Sequence, residues 1–149
     1  MVLFIHLLFG AVIGSVIKSL PLAIFFSFLG HYFLDLFPHI EYPIENIKNN
    51  RWGQSFFEIM AVALDFFLGI FLIWLLSENS FKIYASAFFA VLPDGLTILS
   101  KFSSNKLLKK HNYLHHNMVH FLKNKRISKF WRFSTQVIWA VIFIFMLKS

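Results

Sequence analysis

His31 and Asp35 stand four residues apart, so on a helix they share one face and can chelate a single ion. His39 continues the spacing, although Pro38 bends the chain just before it. His111 with His115, and His116 with His120, are two more pairs at the same interval. Glu58 and Asp65 lie seven apart, again on one helical face. His6 and Asp94 complete the set. Imidazole and carboxylate suit a divalent metal, Zn²⁺ first, with Mn²⁺ or Fe²⁺ as alternatives. A set of this size would hold one or two ions. The chain has no cysteine, which excludes thiolate metal sites, disulfides and cysteine nucleophiles.

The elements that must position these residues are apolar. Of 149 residues, 58% are hydrophobic and 14% charged, with a mean hydropathy of +0.66. A water-soluble domain carries about 25% charged residues. Five apolar runs stand out: 2–17, 20–37, 56–76, 81–99 and 127–147. A bilayer-crossing helix needs about 20 apolar residues. The last three runs meet this, the second is just long enough, and the first is a turn short. The first run lacks a basic leading segment and is broken by His6, Gly10 and Gly14, so it reads as a retained helix rather than a signal peptide. Gly10 and Gly14 allow a neighbouring helix to come close. Pro21 falls in the first turn of the second helix, where proline is tolerated. The expected fold is an all-α polytopic membrane bundle of about five spans, a single domain over residues 1–149.

Charge gives the orientation. All seven acids lie at or before Asp94, whereas ten of the fourteen Lys and Arg follow it. Residues 101–132 hold nine Lys and Arg and no acid, which places them in the cytoplasm, together with the N-terminus. Within them, residues 101–126 read as a basic amphipathic helix on the cytoplasmic side, with Leu107, Leu114, Met118 and Phe121 on one stripe. Lys106, Lys109 and Lys110 are placed to hold anionic headgroups in the interfacial layer. Aromatics are sparse there, so lipid phosphate is preferred to nucleic acid as the partner.

On that topology all seven histidines and the carboxylates Asp35, Glu58, Asp65 and Asp94 fall at or just below the cytoplasmic face. A charged carboxylate within a bilayer costs about 2.5–3.5 kcal/mol on insertion scales. The first four runs have little Lys or Arg nearby, so protons, histidinium or a metal ion must compensate. Each residue also has a plainer role. Asp94 can cap a resumed helix after Pro93, Asp35 can bind the loop that follows it, and Glu58 suits a helix N-terminus. His6 can be a satisfied core histidine, and the C-terminal histidines a basic, pH-sensitive surface. Asp65 is harder to explain plainly, because no capping role exists in mid-span. His111 and His115 lie beside the apolar stripe, while His116 and His120 lie with the lysines.

The stretch Gly30-His31-Tyr32-Phe33-Leu34-Asp35-Leu36-Phe37-Pro38-His39 resembles the SHxxLDxxPH signature of small prokaryotic membrane proteins classed as predicted metal-dependent hydrolases. His6 with Gly10 and Gly14, Asp65 followed by an apolar stretch, Leu92-Pro93-Asp94, and His116-x3-His120-Phe121 before a last span containing Gln136 are similar to that group's pattern as well. Gly30 stands where the signature often has Ser, and Glu41 where Asp is common. A more distant similarity links His-x3-Asp on helices to the all-helical zinc phospholipase C superfamily. The resemblance implies metal-dependent hydrolysis in a prokaryotic inner membrane and favours His116 and His120 over the other pair.

The expected function is therefore hydrolysis of a phosphoester or ester in a lipid-like substrate at the cytoplasmic face. His6, His31, Asp35, His39, Asp65, Asp94 and the C-terminal histidines are the candidate ligands. Asp65 and Glu58 are the candidate catalytic groups, with Glu58 as general base. The alternative is a non-enzymatic protein that binds or passes metal ions or protons. A pathway needs polar groups through the whole membrane thickness. Here the outer half of every span is nearly all apolar, with Gln136 the main exception.

Overall fold

A computed structural model describes residues 1–42, 44–49, 51–115 and 127–148. The described residues are helical, with no strand among them. The helices are α1 (Leu3–Val16), α2 (Leu20–Asp35), the short α3 (Glu45–Lys48), α4 (Phe56–Leu76), α5 (Phe81–Phe102), α6 (Lys106–Leu114) and α7 (Lys129–Lys148). This is a helical membrane bundle. Three helices, α4, α5 and α7, are long and apolar enough to cross a bilayer.

The other two apolar helices are shorter, at 14 and 16 residues. At about 1.5 Å per residue they reach roughly 21 and 24 Å, less than a hydrocarbon core of about 30 Å. For α1 the reason is its position. It runs through the middle of the bundle, packed on α2, α4, α5 and α7, and most of its side chains are buried. Its first half is enclosed by protein, while Ser15 and Val16 at its far end are exposed. By contrast α4 turns most of its surface outward, with Phe57 82% exposed, as a lipid-facing helix should.

Gly10 and Gly14 bring α1 against α5. A Cβ at Gly10 would lie 2.7 Å from the Ala87 Cα, and one at Gly14 would lie 2.8 Å from the Ile83 Cα. The small residues Ser86, Ala87 and Ala90 of α5 complete this close crossing. Pro93 does not divide α5, which continues through it to Phe102. The expected helix over 101–126 begins instead at Lys106, because Asn105 caps it by accepting the Leu107 N–H at 2.8 Å. Its amphipathic stripe beyond His115, including Met118 and Phe121, lies outside the described residues.

Candidate metal centre

Three helix portions meet at one end of the bundle: the start of α1, the end of α2 and the last third of α5. The end of α6 closes over them. His31 and Asp35 come from α2, Asp94 from α5, and His115 directly follows α6. Their ligand atoms all lie within 4.8 Å of one another, a group that could hold a metal ion. His31 Nε2 is 3.2 Å from Asp35 Oδ2 and 3.7 Å from Asp94 Oδ1. His115 Nε2 is 3.3 and 3.9 Å from the same two oxygens. The two Nε2 atoms are 3.0 Å apart. Ligands about 2.0–2.1 Å from a tetrahedral ion stand about 3.3–3.4 Å from each other. The observed separations fall on both sides of that value.

The histidines are oriented for this. His31 Nδ1 donates to the Ala90 carbonyl at 2.7 Å, which leaves its Nε2 lone pair aimed at the carboxylates. His115 Nδ1 lies 3.1 Å from the Thr97 hydroxyl, which can accept its proton and have the same effect. Outer partners of this kind fix ring and tautomer around bound metals. Asp35 and His31 are fully buried, whereas the Asp94 side chain is 26% exposed. Asp94 is about 12 Å from the end of α5.

Further histidines surround Asp35. His6 stacks on His31 with ring centroids 4.1 Å apart, and its Nε2 is 3.2 Å from Asp35 Oδ1. Among the described residues His6 Nδ1 has no hydrogen-bond partner, although the side chain is wholly buried. His39 Nε2 is 3.9 Å from the same oxygen, and its Nδ1 donates to the Phe37 carbonyl. The Met1 amino nitrogen is 2.7 Å from Asp35 Oδ1. Asp35 thus presents Oδ2 to one pair of histidines and Oδ1 to another. His111 stacks beside His115 and bonds the Tyr32 hydroxyl through Nε2 at 2.8 Å. Burial, then the neighbouring His115, lowers its pKa. His116 and His120 lie outside the described residues.

Two expected catalytic residues are placed elsewhere. Asp65 accepts the Phe4 N–H at 2.8 Å and the Tyr42 hydroxyl, whose oxygen in turn accepts the Leu3 N–H at 3.1 Å. The first N–H groups of α1 have no partner within their own helix. Asp65 and Tyr42 supply one from outside, a capping role that spacing within α4 does not reveal. Glu58 likewise holds α3: its oxygens accept from the backbone and side chain of Asn46 and from the Ile47 N–H. Lys106, Lys109 and Lys110 are exposed on α6.

Sequence reasoning missed Thr97, Tyr42 and Tyr32. Thr97 carried a signal, because it follows Asp94 by three residues on the same face of α5. Tyr42 carried none, since it reaches Asp65 from a loop.

Beside the four-residue group lies a cavity of about 440 Å³. Asp94, Thr97 and His115 line one part of it, and Val62, Phe66 and Ile98 line another. Comparison with protein-family models, with curated proteins and with solved structures gave no match.

Proposed function

We propose that this protein is a membrane-embedded, metal-dependent hydrolase of an ester or phosphoester bond in a lipid-like substrate. The observation that carries this reading is the opening of the His31–Asp35–Asp94–His115 group, through Asp94 and His115, onto a largely apolar cavity. Those four residues would hold the ion, zinc by the chemistry of the donors. When bound, a divalent ion supplies an activated water near neutral pH and polarises the scissile bond. The Ala90 carbonyl and Thr97 orient the imidazoles, and the apolar walls limit access of bulk water. The resemblance over residues 30–39 to predicted metal-dependent hydrolases supports the same reading.

The test combines zinc analysis with turnover of two probes, p-nitrophenyl palmitate and bis(p-nitrophenyl) phosphate. Zinc-loaded protein is expected to hydrolyse one of them, and Asp94→Ala and His115→Ala to fall to background. Bound zinc without turnover of either probe, together with zinc or proton flux in liposomes, would establish the transport reading instead. The gathering of His6, His31, His39, His111 and His115 at one end of the bundle favours a one-sided site over a path across it.

A further inference from the structure

The cavity has a graded lining. Asp94, Thr97 and His115 line it beside the four-residue group, Glu41 and Tyr42 add polar lining from the segment after α2, and Val62, Ala63 and Phe66 of α4 with Ile98 of α5 form an apolar slot. The slot lies between α4 and α5, each of which packs on α1. Helix α4 packs on α1 and lightly on α7, whereas α5 packs on α1, α2 and α6. Phe67, also on the lining, is 65% exposed, so the slot opens sideways on the lipid-facing surface of α4.

The geometry points to a single-chain amphiphile with an anionic head as the ligand of this cavity, its hydrocarbon chain lying between α4 and α5 and its head at the Asp94–His115 end. This deepens the proposed hydrolase reading and rests on its metal ion for the head. The volume of about 440 Å³ lies toward the lower end of the usual range of about 300–1,000 Å³ for small-molecule sites, which suits one chain rather than two. It does not suit a helix of a second copy. A cylinder about 10 Å wide would fill that volume within about one turn. The head must be a metal ligand for an electrostatic reason. Asp94 is on the lining, no described Lys or Arg is, and the Met1 ammonium, also on the lining, is bound to Asp35 Oδ1. An anionic head would be repelled without a cation and drawn in with one. Binding of the chain and of the metal should therefore be coupled, each strengthening the other.

The test uses full-length protein in nanodiscs of zwitterionic two-chain lipid, with and without zinc. The probe is palmitate carrying a diazirine on its chain, and labelled residues are mapped by peptide mass spectrometry. Zinc is expected to raise labelling of residues 62–67 by at least about fivefold. Ala63→Trp, which fills the slot, is expected to remove that increase while still binding zinc. Leu64→Trp, at a neighbouring position 63% exposed, is expected to leave it intact. Equal labelling in the parent and Ala63→Trp, or labelling of 62–67 no stronger than that of the lipid-facing Phe57 and Leu75, overturns the chain site. Zinc content measured on the same samples separates the two readings. Zinc bound without slot labelling overturns the chain site alone, and no bound zinc overturns both.

Discussion

His31 Nε2 and His115 Nε2 lie 3.0 Å apart, although 84 residues separate them in sequence. Two imidazole lone pairs at that distance repel unless a proton or a cation lies between them. With each Nδ1 turned to an oxygen of α5 and two carboxylates alongside, the arrangement is charged and oriented for a cation.

Metal content should follow the group of four rather than acidity in general. Purified without chelators, the parent protein is expected to carry about one equivalent of zinc. Asp35→Asn should lose most of it. Asp65→Asn should keep it, because Asp65 is engaged with Tyr42 and the start of α1. Elemental analysis decides this, and equal loss in both variants would contradict the assignment. Acid should weaken binding in the parent, since protons compete for the same lone pairs.

Thr97 tests the orienting partners. Thr97→Val preserves shape but removes the hydroxyl facing His115 Nδ1. Zinc affinity is expected to fall about 10–100-fold with unchanged stoichiometry, as for other outer partners of metal-bound histidines. Competition with a chelator of known affinity measures it.

The contact of α1 with α5 should tolerate no side chain at its glycines. Gly10→Leu and Gly14→Val each push atoms into the α5 backbone and should cost at least about 1–3 kcal/mol. Gly95→Ala serves as the comparison. Nothing lies within 4 Å of a Cβ there, so a helix-favouring change of about 0.5–1 kcal/mol is expected. Thermal unfolding in detergent ranks the three.

Tyr42 should give the fold an alkaline limit. Burial, then its bond to Asp65, holds the phenol above its ordinary value of 10.0. A phenol held protonated by the fold contributes stability that is complete below that value and is lost as pH rises past it. Tyr42→Phe should be less stable near neutrality, by about 0.5–1.5 kcal/mol, and should lose less stability than the parent on going to high pH. Unfolding curves of both proteins across pH provide the comparison.

Local patterns in the chain were enough to foresee much of this. The long apolar runs at 56–76, 81–99 and 127–147 are read from hydropathy because a bilayer demands length and apolarity together. The pairing of His31 with Asp35 is read from spacing because a helix repeats every 3.6 residues, a period independent of tertiary context. A close helix neighbour for α1 is read from Gly10 and Gly14, because only residues without a side chain let backbones approach so closely, and the structure makes α5 that neighbour.

Sequence alone thus specified the apolar helices, the shared face of His31 and Asp35, and the small residues of the tightest crossing, all of them properties within a single helix. Tertiary structure alone decided which carboxylates meet the histidines. Asp65 and Asp94 each sit singly in an apolar helix. One faces the open N–H groups of α1, and the other faces His31 and His115. That difference depends on how helices distant in the chain are rotated and placed against one another, which periodicity within either helix does not encode.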